Sequence, residues 1–364
     1  MTEEDKGHHR RTLFERIGRR WRERVDKAKE YEVTEAEEVV DRGFIPSFLF
    51  DAEYQEAQRL KQRLLREYEG KKLEEVIDGE EFRTKNGVCY RITTQGKINL
   101  MSFTYQKARK AILSDFKLIY GIGEAKERIL KEEGYRTIQD LTKHPRFGEQ
   151  ATKFLEVINR PDALRLINWI GHWLPKSHPL VLYVSGLYDK EDFTILDIES
   201  MGLFSRPIIL IGIAQLSGDD ILITQYFLRN IAEEPSVLAG FLSQVRGNCA
   251  FITFNGRNFD IPYIKERLIY YGMRANLDVP NFDVLYFSRR AWREKLPNCR
   301  LTTLEKYLLR IRRKDDVPSA LVPEFYETYL RTGNIGPVIP IIEHNRQDLI
   351  TLANIFSRLC EEWG

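Results

Sequence analysis

Two acidic residues interrupt an apolar segment near the middle of the chain. The segment ILDIES (195–200) carries Asp197 and Glu199 among isoleucine and leucine residues that favour a β-strand. Side chains two positions apart on a strand lie on the same face, so the two carboxylates would stand side by side. At about 4 Å, and at an effective dielectric of about 20, they would repel each other by roughly 4 kcal/mol. A divalent cation would reverse that repulsion, and an all-oxygen site selects Mg²⁺ or Mn²⁺.

Two later segments carry acids that could complete such a site. In FITFNGRNFDIPYI (251–264), Asp260 follows an apolar strand and precedes a helix, a position where α/β proteins often bind ligands. Capping of that helix is the alternative role for Asp260. In IIEHNRQDLITLANIF (341–356), His344 and Asp348 are four residues apart on an amphipathic helix and share one face. An ordinary surface pair is the alternative there.

The order of the three segments is more informative than any one of them. Asp-x-Glu lies on a strand, Asn-x-x-Asn-Phe-Asp at a strand-to-helix junction, and His-x-x-x-Asp on a late helix. This order resembles the DEDD exonuclease superfamily, which has a ribonuclease H-like fold. The intervening segments NFDVLYF, CRLTTLEKYLL and DDVPSALVPEFYETYLRTGN are similar to the YprB-type ribonuclease H-like domain family. The resemblance covers about 180–364, roughly half of the chain.

The resemblance implies a set of site residues and a reaction. It implies that Asp197, Glu199, Asp260 and Asp348 hold two divalent cations, Mg²⁺ or Mn²⁺, which clamp the attacking and leaving oxygens of a phosphoryl displacement. His344 would orient or deprotonate the attacking water. In superfamily members that use histidine the spacing to the last Asp is one residue longer, so His344 stands where others carry tyrosine. The implied activity is 3′→5′ exonuclease cleavage of single-stranded nucleic acid, with DNA favoured.

Polar residues beside the acids have supporting assignments. Asn255 and Asn258, in the segment before Asp260, are assigned to nucleic-acid binding. Asp283, in NFDVLYF, matches the family and is interpreted as a structural residue close to the site.

A glycine-rich turn precedes the nuclease-like half. The segment LIYGIGEAKERILKEEGYRTIQDLTKH (118–144) resembles a helix-hairpin-helix module, and HPRFGEQATKFLEVI (144–158) is a candidate for a degenerate second copy. Gly121 and Gly123 would let the backbone approach a phosphate, whose oxygens the next helix N-terminus would bind, and Lys126 would add charge. The alternative is an ordinary helical turn with glycine at a C-cap.

A basic cluster lies inside the nuclease-like half. In SRRAWREK (288–295), Arg289 and Arg290 are assigned to contacts with the substrate strand, and Trp292 would be available for base stacking. A solvated basic face with Trp292 in the core is the alternative.

The length and the pattern of the chain predict its organisation. Its 364 residues suffice for two or three domains. We predict the α/β class, with a ribonuclease H-like mixed sheet flanked by helices over 179–364, a small all-α helix-hairpin-helix domain over 111–178 and an N-terminal α+β module over 1–110. Charged helices are predicted at 10–30 and 51–69, a hairpin at 79–100, strands at 193–200, 207–217, 220–228 and 249–256, and helices at 235–246, 260–272, 301–310, 322–331 and 337–361.

Composition narrows the class of protein further. The 56 basic and 54 acidic residues give a formal net charge of +2, which excludes a polycation and leaves nucleic-acid contacts to local patches. No apolar run of about 20 residues predicts a membrane span. The start MTEEDKGHHRR lacks the apolar core of a secretion signal, so we expect a cytoplasmic protein. The four cysteines have no CxxC spacing and predict neither zinc nor disulfides.

Two other functions stay open at this point. One is a nuclease-like body that binds DNA without cutting it, against which the complete set of four acids speaks. The other is a proofreading or repair accessory subunit, which would need a replication or repair protein as its partner.

Overall fold

The computed structural model describes residues 47–160, 162–203 and 205–364. The chain divides into two compact units, Met1–Arg59 and Leu60–Gly364. Of the first unit, the described residues are 47–59, which belong to helix α1. The helix predicted at 51–69 is confirmed as α1 (Ser47–Glu67), whereas the helix predicted at 10–30 lies outside the described residues.

A seven-stranded mixed sheet is the main element of the second unit. Its strands are β1 (Glu80–Thr84), β2 (Gly87–Lys97), β3 (Phe193–Ser200), β4 (Ile208–Ser217), β5 (Asp220–Phe227), β6 (Ala250–Thr253) and β7 (Asn281–Asp283). The order across the sheet is β1-β2-β5-β4-β3-β6-β7. Pairing is parallel among β3, β6 and β7 and antiparallel elsewhere. The α/β class is confirmed, as are all four strands predicted between 193 and 256.

The hairpin predicted at 79–100 is confirmed and extends this sheet. Strands β1 and β2 are joined by the turn between Thr84 and Gly87. Gly87 has a positive φ of 120°, a conformation that favours glycine. Strand β2 then pairs along its length with β5, from Tyr90 opposite Phe227 to Lys97 opposite Asp220. The sheet therefore continues across the domain boundary that we placed at residue 110, and that boundary stays a prediction.

Six further α-helices precede strand β3 in the described residues, and six follow it. The first group is α2 (Leu73–Val76), α3 (Tyr105–Leu113), α4 (Glu124–Glu132), α5 (Gly148–Ile158), α6 (Ala163–Trp173) and α7 (Pro179–Tyr183). The second group is α8 (Glu234–Gln244), α9 (Asp260–Tyr270), α10 (Val284–Trp292), α11 (Leu301–Leu304), α12 (Val322–Thr332) and α13 (Ile339–Glu362). A π-helical turn, Glu305–Leu309, follows α11 directly. The five helices predicted in the second half are thus confirmed.

Helix α13 packs on the sheet through the apolar stripe that its sequence predicts. Leu349, Leu352 and Phe356 are fully buried. The Phe356 ring lies 5.4 Å from the ring of Phe193 on β3 and 6.3 Å from that of Phe282 on β7, measured between centroids. Burying such a side chain stabilises a fold by about 1.5–3 kcal/mol. This packing fixes the position of α13, and hence of its polar residues, against β3.

One continuous apolar core joins the helical region before β3 to the sheet. It runs from side chains such as Phe116 and Phe154 to Phe193 and Phe356. The boundary that we placed at residue 178 therefore stays a prediction. The four cysteines are buried, and none forms a disulfide among the described residues. No helix in the described part of the chain is both long and apolar enough to cross a membrane.

Candidate active site

Strand β3 has one edge that is only partly paired. It pairs with β4 from Thr194 to Ser200, but with β6 from Phe193 to Ile195. Beyond that point the Ile198 N–H donates instead to Asp260 Oδ1, at 3.1 Å. Asp260 is the first residue of α9 and is only 4% exposed. Its carboxylate therefore lies beside the strand segment that carries Asp197 and Glu199, and Phe259 takes the N-cap position.

A buried ion pair fixes the helix that carries Asp260. Arg267 of α9 forms a two-pronged bond with Glu234, with Nε–Oε1 at 2.7 Å and Nη2–Oε2 at 2.6 Å. The Glu234 carboxylate also accepts the Ile208 N–H at 2.9 Å and the Tyr271 hydroxyl at 2.8 Å. Because α9 is tied in this way to the start of β4, Asp260 is held against the neighbouring strand β3.

Helix α13 contributes an asparagine that we did not identify from the sequence. Asn345 Nδ2 donates to Asp197 Oδ2 at 2.8 Å and to the Asp197 carbonyl at 3.1 Å. Gly212 lies opposite Asp197 on β4, and a Cβ there would stand 2.0 Å from Asn345 Oδ1. Gln225 Nε2 donates to the same oxygen at 2.8 Å. A polar residue within the apolar stripe of α13 was the signal that could have identified Asn345.

His344 and Asp348 lie on the same side of α13 and reach the strand acids. His344 Nε2 is 3.6 Å from Asp348 Oδ2 and 3.9 Å from Glu199 Oε1. Its Nδ1 is 2.7 Å from Asp316 Oδ1, and the Ser319 hydroxyl is 3.4 Å from Nε2. His344 is only 7% exposed, so this is not an ordinary surface pair. The structure thus brings all five predicted site residues together.

Burial raises the pKa values of all four carboxylates. Burial, followed by the charges of Asp348, Glu199 and Asp260, raises the pKa of Asp197 well above its ordinary value. Burial raises the pKa of Glu199 to about 7 and that of Asp260 to about 8. Burial also raises the pKa of Asp348, although the charge of His344 partly offsets it. Burial opposes the charge on His344, but Asp348 and its other acidic neighbours raise its pKa to about 9.

The chemistry of this donor set fits a hard dication, because it consists of buried carboxylate oxygens whose mutual repulsion a cation would relieve. The positions of these side chains, however, do not form a complete metal site. Across residues 47–160, 162–203 and 205–364, no group of three or more His, Cys, Asp or Glu side chains has the arrangement of a metal site. Asp197 and Asp260 have neutral hydrogen-bond partners, and Asp348 Oδ1 accepts a hydrogen bond from Arg313. The ligand roles therefore stay a prediction.

The loop before α9 holds the two predicted asparagines. Asn255 has a positive φ of 61°, and its N–H donates to Asp283 Oδ1 at 2.8 Å. Asn258 is exposed, and its Nδ2 lies 3.2 Å from Asn255 Oδ1 and 2.6 Å from the Tyr286 hydroxyl. Asp283 also accepts from the Arg257 N–H at 3.1 Å. The structural role predicted for Asp283 is confirmed, since it fixes this loop.

The glycine turn predicted at 121–123 is exposed and open. Gly121 has a positive φ of 80°, and Gly123 is the N-cap of α4. A Cβ added at either position would meet no atom of the described residues within 4 Å. The Lys126 ammonium donates to the Gly121 carbonyl at 2.8 Å, which closes the turn on itself. At Gly148, in the candidate second copy, a Cβ would stand 2.5 Å from the Thr142 carbonyl oxygen, so this glycine serves close packing.

The basic residues of α10 differ in their surroundings. Arg290 is exposed, whereas Arg289 is half-buried. Trp292 is 4% exposed and lies in the core, so the prediction that it is available for stacking is wrong. Its spacing in the apolar pattern of α10 places it on the helix face that packs inward.

Comparisons with known proteins agree with the fold of this part of the chain. Residues 194–360 match the family model of the RNase_H superfamily. A segment of 180 residues is 29% identical to "Uncharacterized protein YprB" of Bacillus subtilis (strain 168). The match covers 48% of this chain and 43% of YprB, so it spans less than half of that relative's length. With the mixed sheet and the order of motifs described above, these matches support a ribonuclease H-like domain of the YprB type over residues 194–360.

Proposed function

We propose that the protein is a metal-dependent 3′→5′ exonuclease that hydrolyses phosphodiester bonds of single-stranded nucleic acid, with DNA favoured. One observation carries this proposal: carboxylates from three distant segments of a ribonuclease H-like domain lie together in a buried cluster. The negative charges of Asp348, Glu199 and Asp260 are close enough to raise the pKa of Asp197. Such a cluster costs folding free energy, because buried like charges repel and are poorly solvated. A function that needs it explains why the chain retains it.

The roles follow from the positions of the side chains. Asp197, Glu199, Asp260 and Asp348 would hold two Mg²⁺ or Mn²⁺ ions, which when bound supply stabilisation of the attacking and leaving oxygens. His344 would orient the attacking water through Nε2, the nitrogen that faces Glu199 and Asp348. The hydrogen bond between its Nδ1 and Asp316 would hold the imidazole ring in that orientation.

The substrate strand would leave the acids along α10. Asn258, two residues before Asp260, contacts the Tyr286 hydroxyl, and Arg290 lies one turn beyond Tyr286 on the same face of α10. Burial, together with the positive charges of Arg290 and Lys117, lowers the pKa of His178 to about 4. Arg290 and Lys117 therefore both lie near His178, and Lys117 belongs to the helical region that carries the glycine turn. That region would grip the phosphates without reading sequence.

A degradation assay tests the proposal. Wild type and Asp197→Ala would be incubated with Mn²⁺ and single-stranded DNA or RNA labelled at the 5′ end. A parallel set of the same oligonucleotides would be blocked at the 3′ end. We expect the wild type to shorten the unblocked DNA stepwise, and Asp197→Ala to be inactive. Asp278→Ala is a matched control, because Asp278 is exposed and pairs with Lys265 at the surface. Equal degradation by all three proteins would contradict the proposal.

A second candidate function is a nucleic-acid-binding protein that does not cut. It is favoured by the absence, in the described residues, of an arrangement that could hold a metal as it stands. The same assay separates the two functions when it is combined with a binding titration. Strong binding of single-stranded DNA, without degradation in Mg²⁺ or Mn²⁺, would support the binding protein.

A further inference from the structure

A buried arginine lies directly behind the candidate metal ligand on α13. The side chain of Arg313 is 9% exposed, and that of Glu305 is 1% exposed. The two form a two-pronged bond, with Nε–Oε2 and Nη2–Oε1 both at 2.8 Å. A planar guanidinium fork held in this way has a defined orientation, because each prong restricts rotation about the other.

The remaining hydrogens of the same guanidinium reach the candidate site. Nη2 donates to Asp348 Oδ1, and Nη1 lies 3.1 Å from His344 Nδ1 and 3.6 Å from Asp316 Oδ2. Asp316 in turn contacts His344 Nδ1 at 2.7 Å. One side chain therefore touches the last acid, the histidine and the residue that orients the histidine.

The local fold brings Arg313 back to Glu305. Glu305 begins the π-helical turn, and Arg310 ends it with a positive φ of 58°. The chain then reverses, with the Ile311 N–H bonded to the Glu305 carbonyl at 3.1 Å. The Thr351 hydroxyl, from α13, donates to Glu305 Oε1. Single π-helical turns are uncommon in proteins, and those that occur are frequently at functional sites.

Stability alone is a weak explanation for this network. A buried ion pair contributes little net stability, because desolvation of the charges offsets their attraction, and apolar residues of similar size often serve as well. Orientation is the better explanation. Asp348 Oδ1 is engaged by Arg313, which leaves Oδ2 directed towards His344 Nε2, at 3.6 Å, on the side where Glu199 lies.

We propose that Arg313 is a positioning residue for the metal site, and that Glu305 holds Arg313 in place. Arg313 fixes Asp348 through Oδ1, so that Oδ2 faces the strand acids. This inference rests on the proposed function, because it assigns Asp348 as a metal ligand. Groups that hold a ligating carboxylate in orientation commonly change metal affinity or activity by about 10–100-fold when they are removed.

Mn²⁺ binding to the full chain tests the inference. The protein is titrated with Mn²⁺ in the absence of substrate, and binding is monitored by electron paramagnetic resonance. We expect Arg313→Gln to weaken Mn²⁺ binding about 10–100-fold, and Glu305→Gln to weaken it in the same direction. Arg313→Lys keeps the charge but loses the fork, so it should also bind Mn²⁺ at least about 10-fold more weakly. In turnover assays kcat should fall while KM for the oligonucleotide is unchanged. Arg312→Gln, at the exposed neighbouring position, should match the wild type.

The outcomes separate the inference from the proposed function. If Arg313→Gln binds Mn²⁺ as tightly as Arg312→Gln, or more tightly, the positioning role is overturned. The proposed nuclease function is not affected by that result. If Arg313→Gln does not fold, as judged by circular dichroism, Arg313→Lys decides by the same criterion. A wild type that binds Mn²⁺ no better than Asp197→Ala would overturn the proposed function, and the inference with it.

Discussion

The carboxylate cluster and the glycine turn are built in opposite ways. In the cluster, acids are held by partners from distant segments, as Asn345 holds Asp197 and the Ile198 N–H holds Asp260. In the turn, the one hydrogen bond described above is local, from Lys126 to Gly121, and the glycines face open space. The first region is buried and depends on the whole fold, whereas the second is exposed and depends on a few adjacent residues.

This difference determines how each region should respond to substitution. Buried polar groups that are removed from their partners cost more than exposed ones, since a buried group cannot replace its partner with water. We therefore expect the cluster to be sensitive to changes far from the acids. The turn should be sensitive only to changes within itself.

The largest effect is expected at Glu234, which is remote from the acids. Glu234→Ala leaves the Arg267 guanidinium buried without its partner, and α9 loses its tie to β4. We expect the free energy of unfolding to fall by about 3–5 kcal/mol, measured by denaturant titration. Since α9 carries Asp260, activity should fall even at temperatures where the variant remains folded.

A surface pair provides the comparison for Glu234. Glu343→Ala removes the partner of Arg346 on the exposed side of α13, where the carboxylate is 55% exposed. The free energy of unfolding should change by less than about 1 kcal/mol, because water replaces the lost contact. Similar losses for the two variants would contradict a cluster that depends on buried long-range ties.

The next effect is expected at Gly212, where the strand makes room for Asn345. An alanine Cβ would stand 2.0 Å from Asn345 Oδ1, so the amide must move away from Asp197. Gly212→Ala should lower the free energy of unfolding by about 1–3 kcal/mol, as overpacking does. Activity should fall further than stability alone explains, because Asp197 loses its partner. In Gly171→Ala, where the added Cβ meets nothing within 4 Å, both quantities should be retained.

The sequence predicts the acids better than it predicts the residues that hold them. Asp197 and Glu199 are conspicuous because carboxylates on a strand break the apolar pattern. Gly212 and Gln225, by contrast, lie on other strands, and their contacts with Asn345 arise only once the strands are paired. Register and helix packing are long-range properties, which spacing along the chain does not contain.

In the fold, too, local elements were predictable from the sequence and long-range contacts were not. Helix and strand bounds were predictable from apolar periodicity, as in α13, whose stripe includes Leu349, Leu352 and Phe356. The hairpin β1–β2 was also predictable from its turn. Its pairing with β5 was not, because more than 100 residues separate the two segments, and a strand carries no local mark of a distant partner. The same holds for Arg313, whose return to Glu305 depends on a π-helical turn.

A smaller effect is expected at the glycine turn. Gly123 has an extended backbone with φ of −103°, and an added side chain would meet open space. Gly123→Val should therefore leave stability unchanged but cover the amides that would approach a phosphate. We expect affinity for single-stranded DNA, measured by fluorescence anisotropy in EDTA at fixed salt, to fall several-fold. Gly247→Val, at another exposed glycine with open space around it, is the control and should bind as the wild type does.

The smallest effect is expected at Lys126, and it separates two roles for that side chain. If the ammonium contacts a phosphate, Lys126→Met should reduce the slope of log affinity against log salt by about 0.7, the value for one phosphate on a single strand. If Lys126 only closes the turn through the Gly121 carbonyl, affinity should fall with the slope unchanged. We expect the reduced slope, because the ammonium is exposed and can donate to a phosphate while it keeps that bond. Lys153→Met removes an exposed lysine paired with Glu149 on α5 and should leave the slope as it is.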